Sequence, residues 1–329
     1  MIISKTPFRV SFFGGGTDYP VWYRENPGAV LATTIDKYCY LLCRWLPPFF
    51  EHKHYIAYSE IERIQEVDEI KHPAVRETLK FLKVTRGVGI HHASDLPART
   101  GIGSSSAFTV GLLNALYTLQ GISRTKAELA LDAIEIEQNM IRENVGSQDQ
   151  TLAAFGGFNR VQFAFYGSYH KINVTPVTLK PERLTALQDH LMLFFTGFPR
   201  TASQIAKKVV EGIPKRKREL TRFYEMVSEA VNILQSSDLS DFGKLLHESW
   251  LIKRTGVSGI STDYVDYLYE KAMHAGAIGG KLTGVGSGGF LLLFVPPEAQ
   301  DRVRQELKLL EVPFKFESSG STIIFYEGV

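Results

Sequence analysis

Only two cysteines occur in 329 residues, Cys39 and Cys43, and both fall in the apolar run Tyr38 to Trp45, where strand alternation puts them on one face. That excludes a disulfide framework or a cysteine metal cluster. His91-His92 is a bare pair with no further ligands at metal spacing, and reads as structural. Charge of one sign is equally scarce: 37 Lys and Arg stand against 35 Asp and Glu, so the chain lacks the basic surplus that would indicate a nucleic-acid partner. The basic run Lys215-Arg216-Lys217-Arg218 leads into helical sequence and reads as a solvated helix start. Long hydrophobic runs are missing too. Phe290 to Val295 is only strand-sized, and no charged leader precedes an apolar segment at the start, so a soluble cytoplasmic protein with no membrane partner is expected. A homodimer is left open. With 44% hydrophobic and 22% charged residues the chain should fold along its whole length, which is enough for two domains.

What is plentiful is glycine in turns. Pro97 to Tyr117, PARTGIGSSSAFTVGLLNALY, joins a Gly-rich loop with three serines to an apolar helical segment. Gly101 and Gly103 allow positive φ and close approach to a ligand, while Ser104, Ser105 and Ser106 offer hydroxyls and caps. The helix directs free N–H groups and its positive dipole end at the loop, which suits a polyphosphate.

Residues 2 to 13 alternate as a strand around Pro7 and deliver the turn Gly14-Gly15-Gly16-Thr17-Asp18-Tyr19-Pro20. Asp18 can accept from sugar hydroxyls there, and Arg9 supplies a fixed positive charge. Further strands are expected over 29–45, 55–58 and 87–93, with a helix over 72–83. Thr125-x-x-Glu128 is a capping box opening a helix through Glu135 and Glu137 to about Arg142. Those two glutamates cannot share a face, and periodicity does not choose between them. Asp149, in Gly146-Ser147-Gln148-Asp149-Gln150, stands beside a helix terminus. The Pro176 to Pro181 break divides the chain into expected domains 1–180 and 181–329. The second restarts with a strand at 191–196 and continues through helices to a last strand pair over 314–326.

Gly284, Gly286 and Gly289 spell a dinucleotide string, but strand rather than helix follows it. Lys281 resembles a P-loop lysine, yet Ala275 and Leu282 occupy positions where that motif needs Gly and Ser or Thr. Neither nucleotide motif stands, and a dehydrogenase reading falls with them.

Pro7 to Tyr19, Pro97 to Ala107, Gly146 to Gln150 and Lys281 to Gly289 resemble, in order and spacing, the signature segments of the GHMP small-molecule kinases. The resemblance implies an α+β fold of two domains, an N-terminal sheet-and-helix domain and a ferredoxin-like C-terminal domain with the active site between them. It implies ATP and Mg²⁺. The cradle for ATP would be Pro97, Thr100, Gly101, Ile102, Gly103, Ser104, Ser105, Ser106 and Ala107. Ser105 and Glu137 would hold the metal, with Glu135 as fallback. Asp149 would accept or orient the proton of the attacking hydroxyl, and Arg9 would stabilise it. Gly14, Gly15, Gly16, Thr17 and Asp18 match the sugar-binding turn, and Gly284, Gly286 and Gly288 the loop bordering phosphates and substrate.

Galactokinases carry G-E-H-T-D-Y where this chain has GGGTDY. The GGGTDYP turn, the segment His247 to Arg254 and GGKLTGVGSGG look most like the D-glycero-D-manno-heptose 7-phosphate kinases, which phosphorylate an anomeric hydroxyl to give the 1,7-bisphosphate for nucleotide-activated heptose of surface polysaccharide. Fucokinases are the alternative, as is a sensor of the same fold without turnover. A phosphorylated sugar needs a cationic clamp, for which Lys253, Arg254 and Arg200 are the candidates.

Overall fold

The computed structural model describes residues 1–167, 169–197, 202–236, 238–284 and 286–327. Its first sheet is laid down by β1 (Ile2–Phe13), short helix α1 (Pro20–Tyr23) and the long strand β2 (Gly28–Trp45). Pro7, which cannot donate to the ladder, coincides with a register shift between Pro7 and Phe8. A hairpin of β3 (His54–Ala57) and β4 (Ile61–Ile64), helix α2 (Pro73–Phe81) and strand β5 (Val88–Ser94) follow. Helix α3 (Ser104–Leu119) is buried nearly all round, as its apolar sequence requires, and lies on β1 and β2. Gly111 permits that contact, because a Cβ there would meet Thr6 Oγ1 at 2.7 Å.

Helix α4 (Lys126–Ile134) opens on the expected capping box, both halves of which form. It then widens into a π-helical turn over Glu135–Met140. Helix α5 (Gln148–Phe155) and the hairpin β6 (Phe158–Tyr166) and β7 (Tyr169–Pro176) complete this part. The strand order is β4-β3-β5-β2-β1, with β6 pairing the N-terminal half of β2, and only β3 and β5 run parallel among the described strands.

Beyond α6 (Pro181–Asp189), β8 (Leu191–Gly197) starts a second sheet. Four helices follow: α7 (Ala202–Gly212), α8 (Lys217–Ser236), α9 (Leu239–Gly256) and α10 (Asp263–His274). Then come β9 (Gly279–Leu282), β10 (Gly289–Phe294), α11 (Gln300–Leu307) and β11 (Leu310–Glu311). The order β11-β8-β10-β9, antiparallel throughout, is the βαββαβ arrangement of a ferredoxin-like unit. The two layers meet at Phe242 on α9, whose ring lies edge-on to Phe12 and Phe13 at 5.5 and 5.1 Å and tilted against Phe294 at 6.1 Å.

The last strands depart from a simple two-block division. β12 (Phe316–Glu317) pairs with β2, and β13 (Thr322–Tyr326) with the outer side of β1. They join the first sheet and not one another, because β1 and β2 offer unpaired ladder positions there.

Candidate active site

A cleft of about 680 Å³ opens between the two layers, lined by the ends of β1, α3, α5, α8 and α9 and by the three glycine-rich turns at 14–16, 101–103 and 284. Gly101 and Gly103 adopt φ of +84° and +75°, and Gly103 caps α3. A Cβ on Gly101 would lie 2.6 Å from the Thr283 carbonyl oxygen, one on Gly284 2.4 Å from Gly101 Cα, and one on Gly289 2.3 Å from the Thr100 oxygen. The two turns therefore pack main chain to main chain. That accounts for the glycine string at 284–289, whose context already set it apart from a dinucleotide fingerprint.

Of the expected cradle, Gly101, Gly103, Ser104, Ser105 and Ser106 line the cleft. Pro97, Thr100, Ile102 and Ala107 do not; they shape the loop. Thr100 Oγ1 donates to the Pro97 carbonyl at 2.8 Å, the Ile102 carbonyl accepts from the Arg9 backbone N–H at 3.0 Å, and Ala107 is core. In the first turn, Gly15, Gly16 and Asp18 line the cleft, whereas Gly14 and Thr17 hold the turn together: Thr17 Oγ1 donates to the Gly14 carbonyl at 2.7 Å and accepts from Ala29 N–H at 3.0 Å. Gly284 borders the cleft; Gly286 instead packs on the Ile260 backbone, and Gly288 is not among the lining residues.

Asp149, in the first turn of α5, is gripped by Arg9 from β1. Arg9 Nε and Nη2 donate to Asp149 Oδ1 and Oδ2, each at 2.7 Å, and Nη1 donates to the Gly101 carbonyl at 2.6 Å. One guanidinium thus ties the carboxylate to the glycine loop in a bidentate geometry. Asp18, 1% exposed, accepts from Gly16 N–H at 2.9 Å and from Gln148 Nε2 at 3.0 Å. Burial, and then the nearby Asp149 charge, push its carboxyl up to about 6.

The two glutamates separate cleanly. Glu135 is exposed and accepts from Asn139, while Glu137 is 1% exposed and accepts from Ser106 Oγ at 2.8 Å and from the Gln150 amide. Ser106, not the more exposed Ser105, makes that contact. Glu137 Oε1 is buried with no partner, and burial pushes the carboxyl up to about 7. A cation would relieve both conditions. No cluster of three acidic, His or Cys ligands is found among the described residues.

The expected cations divide. Lys253 lines the cleft; Arg254, about 100° further round α9, is paired with Asp266 at 3.4 Å and does not; Arg200 lies outside the described residues. Sequence reasoning passed over Lys281, Arg216, Arg99 and Gln148, all of which line the cleft. Lys281 was visible only as a failed P-loop lysine. Arg216 sits inside the basic run read as solvated: Lys215, Lys217 and Arg218 are exposed, while Arg216 turns inward and donates to Glu219 at 2.6 Å. No helix among the described residues is long and apolar enough to cross a membrane.

Residues 69–157 match the GHMP kinases N terminal domain and residues 228–310 the GHMP kinases C terminal domain. The D-glycero-alpha-D-manno-heptose 7-phosphate kinase of Campylobacter jejuni is 30% identical over 308 residues, covering 90% of each chain. The bifunctional fucokinase/GDP-fucose pyrophosphorylase of Arabidopsis thaliana is 25% identical over 92% of this chain and 31% of its own length. A crystal structure of a D-glycero-D-manno-heptose 1-phosphate kinase from Bacteroides thetaiotaomicron superposes over 100% of both chains with a TM-score of 0.80 at 22% identity, a likeness of fold.

Proposed function

The chain belongs to the GHMP kinase family, and on that premise we propose that it transfers the terminal phosphoryl group of ATP to the anomeric (C1) hydroxyl of D-glycero-D-manno-heptose 7-phosphate. The product is the 1,7-bisphosphate, a precursor of nucleotide-activated heptose for surface polysaccharide. The observation that carries the reading is the Arg9–Asp149 pair beside Asp18, at the junction of a phosphate-type helix N-terminus and a cleft wide enough for a sugar phosphate.

Phosphoryl transfer needs positioning and charge neutralisation more than covalent chemistry. Asp149, fixed by Arg9, accepts the hydrogen of the attacking hydroxyl and aims its lone pair along the transfer line. Arg9 offsets the charge that builds up there. Asp18 and Gln148 receive and orient neighbouring sugar hydroxyls. The α3 N-terminus and the Ser104 and Ser105 hydroxyls hold phosphate oxygens. Glu137 with the Ser105 and Ser106 hydroxyls would hold Mg²⁺, which when bound neutralises phosphate charge.

The reading is tested by ADP release with Mg-ATP over a panel of heptose 7-phosphate, mannose, fucose and galactose, with the position of the new phosphate read by ³¹P NMR. Turnover with the heptose phosphate alone, at C1, is expected. Preference for fucose would move the substrate to the alternative that the Arabidopsis relative suggests. ATP binding without turnover on any sugar would point to a sensor.

A further inference from the structure

Two lysines on the second-sheet side of the cleft have no role in the scheme above. Lys253 Nζ, from α9, donates to the Leu282 and Gly284 carbonyls at 3.1 and 2.5 Å; Lys281 Nζ, from β9, donates to the Phe12 carbonyl at 2.8 Å. Both line the cleft, and Lys281 is only 6% exposed. Neither has an ion-pair partner at contact distance among the described residues, although the Asp18 charge acts on Lys281 from further off, and Arg9, whose charge acts on both lysines, already holds Asp149. Each ammonium carries three donors, so carbonyl groups satisfy only half of the pair's hydrogen bonds and none of its charge. Two ammonium groups withdrawn from water with no counter-anion are costly unless a ligand supplies the anion.

Their placement narrows that ligand. Gly284, whose carbonyl fixes Lys253, abuts Gly101 of the phosphate loop, while Phe12, whose carbonyl fixes Lys281, lies three residues along β1 from Arg9. The pair therefore stands between the acceptor turn and the phosphate loop. We propose that Lys253 and Lys281 form a phosphate-binding pair in the cleft wall, taking either the phosphate that the acceptor sugar carries or the phosphoryl group in transfer. A phosphate dianion matches two unneutralised ammonium groups and offers three acceptor oxygens to their free N–H groups. Burial and then the Arg9 charge pull Lys281 down to about 7 against the opposing charge of Asp18, and burial, then Lys281 and Arg9, pull Lys253 well below its ordinary range, so that a bound phosphate anion would favour the protonated form of both.

Of the Lys253, Arg254 and Arg200 clamp expected from sequence, of which Arg200 lies outside the described residues, the site keeps Lys253 and joins it to Lys281 from a different element. Its assignment to substrate rests on the kinase reading, but its affinity for phosphate does not. Inorganic phosphate is therefore titrated calorimetrically into the ADP-bound protein and into Lys253→Met and Lys281→Met. Affinity lower by about 10–100-fold in both is expected; affinity within about 2-fold of wild type in both overturns the pair. Because either variant could fold poorly, the wild-type chain is also labelled with acetic anhydride with and without inorganic phosphate and mapped by mass spectrometry. Phosphate should protect Lys253 and Lys281 but not exposed Lys244; equal labelling in both conditions refutes the proposal. In turnover, a raised KM for the sugar phosphate with KM for ATP unchanged identifies the acceptor's phosphate, and a lower kcat with both KM values unchanged identifies the group in transfer. Absence of turnover with every sugar would sink the kinase reading while the phosphate titration still decides the pair.

Discussion

Replacing Asp18 by Asn should stabilise the protein at pH 8 and leave it unchanged at pH 4. The Asp18 carboxyl titrates near 6 in the fold and near 3.8 when exposed. Below 3.8 both states hold the proton. Between 3.8 and 6 the folded chain retains a proton that the unfolded chain has lost, so stability falls as pH rises through this window. By pH 8 the whole difference of about two pKa units is felt, about 3 kcal/mol. Asn cannot ionise and fills the same space. Its oxygen still accepts from Gly16 N–H, and its amide can donate to Gln148 Oε1, a buried oxygen that now has no partner, once the Gln148 amide turns over. The assay is urea unfolding of wild type and variant at both pH values, read as a difference of free energies. A gain that is the same at both pH values, or a loss at pH 8, would show that burial of charge at Asp18 is not what the site bears.

Three further outcomes follow from the same geometry. Asp149→Asn should lower kcat by about 10²–10⁴-fold while the Kd for ATP stays within about 2-fold, measured by single turnover and by nucleotide titration; a rate near wild type would remove Asp149 from the reaction. Glu137 titrates near 7, so a cation must displace its proton below that pH. The rise in melting temperature caused by Mg-ATP should therefore grow from pH 6 to pH 8 in wild type and stay flat in Glu137→Gln. Gly101→Ala, which forces a positive φ on a side chain and drives its Cβ into Thr283, should destabilise the fold by about 1–3 kcal/mol in denaturant titration.

The loop from Gly101 to Ser106 and the capping box at Thr125 were legible because each depends on local backbone chemistry, whereas Asp149, expected only beside a helix terminus, lies in the first turn of a helix of its own. The preference for Glu137 over Glu135 came from the family resemblance and not from periodicity, since a π-helical turn resets the facing of both and packing against Ser106 and Gln150 decides it. Lys281 was set aside for failing a motif defined by neighbours along the chain, whereas its place in the cleft comes from Phe12, 269 residues away. Arg254 shows the converse. Adjacent to Lys253 in sequence, it points elsewhere because one helical residue is 100° of rotation. The last strands looked like a pair of their own, since no local pattern in residues 314–326 shows that their partners lie on β1 and β2.

The return of β13 to β1 also bears on how the chain is made. Pairings such as Ile2 with Tyr326 join segments more than 300 residues apart, the second translated long after the first. While the intervening residues are being translated, the outer side of β1 is an open edge, and unpaired edges of this kind invite association between nascent chains. The segment 322–326 thus acts as a late clasp that closes the first sheet only after the second has been produced. Slow refolding from denaturant, with a phase lost when this strand is disrupted, would be its kinetic signature.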